Sequence, residues 1–106
     1  PPSFLKKLQS QIHEEFSAYS HDQSFPMKPQ RIISDLRQAM NPGDIALSDV
    51  GAHKMWMARM YSCYEPNTCL ISNGLASMGF ALPSAIAAKM IKQNKKVIAV
   101  IGDGGF

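Results

Sequence analysis

The sequence predicts an α/β fold: a partial doubly wound parallel sheet, truncated after its third strand and preceded by an amphipathic helix. Three observations carry this expectation. Helical and strand patterns alternate along most of the 106 residues. Each of three short apolar runs is followed at once by a glycine-containing loop. The last run, Val97 to Ile101, is apolar on both faces, which predicts a central strand covered by helices on either side.

Element by element, Phe4, Leu5, Leu8, Ile12 and Phe16 recur at spacings of three and four from Ser3 to about Tyr19, an amphipathic helix with Ser3 as its expected N-cap. The stretch SHDQSFP has no periodicity and reads as a linker, so the sequence divides into residues 1–25, a helix and linker, and 26–106, the α/β unit. In KPQRIISDLRQAMNPGD, Pro29 suits a first helical turn, and Ile32, Ile33, Leu36 and Met40 share one face before Asn41-Pro42-Gly43 ends the helix. IALS at 45–48 is the first strand, KMWMARMY a short helix, and TCLIS at 68–72 the second strand. LASMGFALPSAIAAKMIKQ at 75–93 reads as a helix that Pro83 either kinks or starts, and KVIAVI at 96–101 is the third strand.

Composition narrows the function classes. With 45% apolar residues the chain has material for a core, and a net charge of +3 with no basic block beyond Lys6-Lys7 and Lys95-Lys96 argues against a nucleic-acid groove. No apolar run reaches the roughly 20 residues of a membrane span and no signal-peptide core is present, so a cytoplasmic protein is expected. Cys63 and Cys69 fit neither a metal knuckle nor a CxxC motif and are read as reduced, structural thiols. A start at Pro-Pro and an end just past a glycine turn lead to the expectation that this is part of a longer chain.

In doubly wound sheets ligands sit beyond the carboxyl ends of the strands. Three loops answer that description: DVGAH (49–53), SNGLASM (72–78) and GDGGF (102–106). Gly102, Gly104 and Gly105 allow a ligand close to main-chain N–H groups, an arrangement suited to a phosphate or diphosphate. Asp103 among them would repel a phosphate unless a hard cation lay between, and Mg²⁺ favours one or two carboxylates plus phosphate oxygens. Two other readings of the same residues stay open: an Asp-Gly hairpin turn, and the first five places of a GxGxxG dinucleotide motif. A Walker-type phosphate loop is excluded at this site because no Gly-Lys-Ser/Thr follows.

Taken in order, SDVGAHKMWMARMY, SNGLASMGFALPSAIAAKM and VIAVIGDGGF resemble the cofactor-diphosphate domain of thiamine-diphosphate-dependent enzymes, and most closely the acetolactate synthases. The resemblance covers roughly residues 26–106, and residues 1–25 look like the helix and linker leading out of that family's middle domain. Of the family's metal motif, only the opening Gly-Asp-Gly is present. The resemblance implies that Asp103 ligates Mg²⁺ while Gly102, Gly104 and Gly105 admit the diphosphate. It places Val50, Gly51, Ala52 and His53 on the other side of the diphosphate, with His53 able to donate a ring N–H to a phosphate oxygen. Met78 matches the wedge that keeps the cofactor bent, Ala76 a backbone carbonyl acceptor for the aminopyrimidine, and Gly74 a shaping position in the same loop. Met55, Trp56 and Met57 are expected to pack rather than to take part in chemistry.

The resemblance further implies thiamine diphosphate and Mg²⁺ as cofactors, with FAD possible in a full-length enzyme but not inferable from these residues. Pyruvate or another 2-keto acid is the implied substrate, and a homo-oligomer, dimer or tetramer, the implied assembly. No catalytic residue is expected in this stretch, since the family's activating glutamate comes from another domain, and the 106 residues alone are expected to be inactive. The rival classes are another thiamine-diphosphate-dependent decarboxylase, carboligase or oxidase, an NAD-binding oxidoreductase, and a non-catalytic α/β interaction domain.

Overall fold

The computed structural model describes residues 2–106. Along the chain run α1 (Ser3–Ser17), α2 (Pro29–Ala39), β1 (Ile45–Ser48), α3 (Ala52–Met60), β2 (Cys69–Ile71), α4 (Ala81–Ile91) and β3 (Val97–Val100), with a single 3₁₀ turn at Asp103–Gly105. The three strands form one parallel sheet in the order β2-β1-β3, with Ala46 opposite Cys69 and Ile98, and Leu47 opposite Leu70 and Ala99. The α/β expectation therefore holds, with β1 rather than β3 at the centre. Every residue of β1 is buried, whereas Ile98 of β3 is 37% exposed at the sheet's edge. An apolar run signals burial on both faces without saying which neighbours complete the ladder.

Strand alternation divides the core into two layers. Ala46 of β1 faces Ile33 of α2, Met57 of α3 and Tyr61, with Cys69, Ile71 and Val100 of the flanking strands against the same cluster. Ile45 and Leu47 point the other way, onto Ala81 of α4, with Leu70, Val97, Ala99 and Ile101 beside them. Small residues on α4, Ala81, Ala85 and Ala88, bring that helix close to the sheet.

Two polar fixtures hold the first layer in place. Arg37 donates to the Tyr61 hydroxyl at 2.8 Å and to the carbonyls of Met40 and Asn41 at 2.5 and 2.9 Å, and stacks between Tyr61 and Tyr64. It thereby joins the end of α2 to the end of α3. Buried Asp44 accepts from the N–H of Asn41 at 2.7 Å and from that of Lys96 at 2.9 Å, tying the turn before β1 to the start of β3.

Several boundaries differ from those expected. The N-cap of α1 is Pro2, with Ser3 the first helical residue and no side-chain cap. The helix buries no residue, leaving Phe4, Leu5, Leu8 and Ile12 38–66% exposed, and meets α3 through the exposed Arg59–Glu15 ion pair at 2.5 Å, a contact type worth little. α3 starts at Ala52 rather than Lys54, because Gly51 at φ 147° turns the chain into the helix two residues sooner. α4 starts at Ala81 rather than residue 75, with Pro83 inside its first turn, where a missing N–H costs nothing. Met57 is fully buried and Trp56 packs beside it as expected, but Met55 lies on the outer face of α3, 72% exposed.

Candidate functional site at the carboxyl ends of the strands

Parallel strands bring the segments after β1, β2 and β3 to one end of the sheet, and the structure puts the loops in contact there. The His53 ring lies between the first and third. Its Cε1 would sit 2.8 Å from a Cβ on Gly51 and 3.3 Å from one on Gly102, so the imidazole occupies space that two missing side chains provide. Met78 joins the second loop to the third, its sulfur 3.6 Å from the position a Gly104 Cβ would take. Gly105 is buried, with Asp49 Cγ and Oδ2 each 3.1 Å from its Cβ position.

Asp49 connects all three. It follows β1 directly and is fully buried, with its own N–H donating to the Val100 carbonyl at 2.9 Å. Its Oδ1 accepts from the N–H of Val50 at 2.7 Å and of Gly79 at 3.1 Å, and its Oδ2 from those of Gly79 and Ala81, both at 3.1 Å. The Val50 N–H is the main cause that holds this carboxyl below its ordinary pKa; the amides of Ala81 and Gly79 and the nearby His53 add to it, against the opposing effect of burial. The reading of the sequence gave Asp49 no role. The available signal was an acid at the mouth of a buried strand, a place where a charge is tolerated only if several donors converge on it. Lys54, also passed over, donates to the Ser72 carbonyl at 2.5 Å and fastens the end of β2 to α3.

The remaining expected positions fall as follows. Val50 is half-buried beside Asp49, and Ala52 opens α3. Gly74 has φ 73° with no heavy atom near its Cβ position, an open turn that L residues avoid. Ala76 is half-buried between Leu75, which is fully exposed, and Met78, which is 62% exposed. Asp103 is exposed and accepts from the N–H of Gly104 at 3.0 Å through Oδ1. The residues after β3 form a 3₁₀ turn in which neither Asp103 nor Gly104 has the positive φ that an Asp-Gly hairpin turn requires.

Two features bear on what this mouth can hold. The Nε2 of His53 is buried without a hydrogen-bond partner among the described residues, and a buried ring nitrogen left this way costs free energy until an acceptor or donor arrives. A second feature is the N-terminus of α3, which opens at this end of the sheet without a side-chain cap, presenting unpaired N–H groups and the positive end of its helix dipole; that of α4 is already occupied, its Ala81 N–H donating to the Asp49 carboxylate. Both features suit an anion. Among the described residues no three His, Cys, Asp or Glu side chains cluster as a metal cage, so a cation here would have Asp103 as its protein carboxylate and need oxygens from a ligand or water. A cleft of about 230 Å³ lies elsewhere, between α1 and α2 against Ile33 and Arg37. Among the described residues no helix is long and apolar enough to cross a membrane.

Comparison with known proteins agrees with this geometry. The family described as "Thiamine pyrophosphate enzyme, C-terminal TPP binding domain" matches residues 49–106, beginning at Asp49 itself. The chain is 39% identical over 102 residues to the acetolactate synthase of Bacillus subtilis (strain 168), which covers 96% of the chain and 18% of that protein. It is 38% identical over 84 residues to the acetolactate synthase large subunit of Lactococcus lactis subsp. lactis (strain IL1403), covering 79% of the chain and 15% of the relative. The chain thus spans less than a fifth of the length of these relatives.

Proposed function

The chain belongs to the thiamine pyrophosphate enzyme family, through its C-terminal TPP-binding domain, and from that premise we propose that it is part of an acetolactate synthase. The full-length protein would decarboxylate pyruvate and join the remaining two-carbon unit to a second pyruvate, giving 2-acetolactate and CO₂. The observation that supports the cofactor assignment is the meeting of the three loops, His53 against Gly102, Met78 against Gly104 and Asp49 against Gly105. Support for this particular reaction comes from the acetolactate synthases among the relatives.

Thiamine diphosphate, when bound, supplies the nucleophilic carbon for decarboxylation and ligation of 2-keto acids. The chain's own residues would bind and orient it. Asp103 would hold Mg²⁺ as its one protein carboxylate here, with diphosphate oxygens filling other places in the octahedral shell. Gly102, Gly104 and Gly105 would let the diphosphate approach the backbone, and the uncapped first turn of α3, from Gly51 and Ala52, would face it with N–H groups. The partnerless Nε2 of His53 would donate to a phosphate oxygen, removing the cost of its burial. Met78, exposed at the mouth beside Gly104, would wedge between the cofactor's rings, with the Ala76 carbonyl accepting from the aminopyrimidine and Gly74 shaping the loop.

In this reading the activating glutamate, the rest of the metal motif and the substrate pocket lie outside these residues, so the 106 residues alone turn over no pyruvate. The full-length protein would act as a cytoplasmic homo-oligomer, dimer or tetramer. The test is product analysis of the full-length protein with pyruvate, thiamine diphosphate and Mg²⁺. Stoichiometric 2-acetolactate and CO₂ are expected; acetaldehyde or acetyl phosphate as the main product would assign the chain to another member of the superfamily.

A further inference from the structure

Asp49 contacts residues that directly follow the two points where cofactor would be gripped. Gly79, whose N–H it holds, comes after Met78, and Gly105, which packs on its carboxylate, comes after Gly104. Met78 sulfur and Gly104 are themselves in contact distance, 3.6 Å to the Cβ position. We propose that Asp49 is a positioning residue for thiamine diphosphate, one that sets the height of the Met78 wedge above the Asp103 turn. This rests on the cofactor reading given above.

The geometry excludes a looser role. Full burial leaves Asp49 no direct contact with a ligand, so apart from its charge any effect on binding must pass through the loops it holds. Gly79 has φ 87°, a conformation with little intrinsic preference over its alternatives in glycine, and the two carboxylate oxygens are what select it. Both oxygens serve the 72–80 loop. Replacing Asp49 by Asn turns one of them into an NH₂ group aimed at backbone N–H groups. In one orientation Ala81 and half of the Gly79 bond are lost; in the other, Val50 and the other half. Either way the loop carrying Met78 is loosened.

Charge and placement predict opposite signs, which makes the proposal decidable. Removing a negative charge beside a diphosphate site would tighten binding if electrostatics alone mattered. Loosening the wedge would weaken it.

The experiment is calorimetry on the full-length protein at saturating Mg²⁺, measuring Kd for thiamine diphosphate and, separately, for inorganic diphosphate, which has no rings for Met78 to hold. The parent, Asp49→Asn and a Leu47→Val control are compared, with the thermal stability of each apoprotein recorded. Asp49→Asn is expected to weaken thiamine diphosphate by about tenfold or more, the scale of one or two lost hydrogen bonds, and to change inorganic diphosphate by less than about threefold. Leu47→Val is expected to lower apoprotein stability and leave both constants unchanged.

The proposal is overturned if Asp49→Asn leaves thiamine diphosphate within about twofold of the parent or tightens it. It also fails if both ligands weaken equally, or if Leu47→Val shifts the ratio as much. Where Asp49→Asn does not accumulate as folded protein, Asp49→Glu, with the charge kept and the oxygens displaced by one methylene, is held to the same outcomes. A parent protein that takes up no thiamine diphosphate refutes the cofactor reading itself, whereas a parent that binds and a silent Asp49→Asn refutes only this inference.

Discussion

Replacing Gly51 by Ala strikes the backbone and the His53 ring together, and the structure separates the two costs. Gly51 sits at φ 147°, where an L residue is strained by about 1–3 kcal/mol. The new Cβ would stand 2.8 Å from His53 Cε1 and 2.9 Å from Nδ1, against the roughly 3.5–4.0 Å at which such atoms rest. Retreat is limited on the far side, where the same Cε1 already approaches Gly102 to 3.3 Å of its Cβ position. The ring must turn out of its slot, adding about 0.5–1.5 kcal/mol if it is forced off a rotamer. The total is about 2–4 kcal/mol, which at an m-value of roughly 1–3 kcal/mol/M lowers the urea midpoint by about 0.7–2 M or more. The assay is urea unfolding of the 106-residue chain followed by the emission of its single tryptophan, Trp56, which packs on the core beside Met57. The same substitution made in a His53→Ala background keeps the backbone term and drops the ring term, so the cycle should show a coupling of about 0.5–1.5 kcal/mol. A cost below about 0.5 kcal/mol in both backgrounds would refute the backbone argument, and equal large costs in both would refute the argument from the ring.

Two further outcomes follow from the core and from the buried acids. Leu47→Ala, at a fully buried position faced by alanines of α4 that cannot swing inward, should cost about 3–5 kcal/mol in the same urea assay; a loss under about 1 kcal/mol would mean that the second core layer is not packed as described. Asp44 and Asp49 both have pKa values lowered in the folded state, chiefly by the N–H of Asn41 for the first and of Val50 for the second. Each therefore contributes stability that is complete above the unfolded-state value of about 3.9 and is lost as pH falls through the lower, folded one. Urea midpoints should hold steady from neutral pH to about 5 and fall below about 4, and Asp49→Asn should flatten that fall; an unchanged slope in the variant would contradict it.

The parts of the fold that local chemistry dictates were legible in the sequence. Three apolar runs gave three strands within a residue or two of their observed ends, because burial of Ile45, Leu47, Leu70 and Val97 needs no information from elsewhere in the chain. Pro29 marked the start of α2 for the same reason, since a missing N–H is harmless only there. The start of α4 was not legible. Its first turn depends on the Asp49 carboxylate binding the N–H groups of Gly79 and Ala81, a contact across the sheet that no local pattern records. Strand order is non-local in the same sense, and β1 took the centre because both its neighbours pair with it.

The site divides along the same line. Glycines and a lone aspartate after a strand have a local chemical meaning, and 102–105, Gly51 and Gly74 could be picked out from it. That His53 would lie between Gly51 and Gly102, and that Met78 would rest on Gly104, depends on the parallel register that brings three loops to one end. Asp49 was missed because its importance lies in what it joins, and Val50, Gly79, Ala81 and Gly105 are spread over most of the α/β unit.

Titration of the full-length protein with thiamine diphosphate, with and without Mg²⁺, for the parent and for Asp103→Asn, bears most directly on a metal bridging one carboxylate to a diphosphate. The account predicts tight uptake by the parent only with Mg²⁺, and a weakening of at least about 100-fold in Asp103→Asn at the same metal concentration, as expected when a hard cation loses a charged ligand. Equal affinity in parent and variant, or uptake by the parent that ignores the metal, would contradict it.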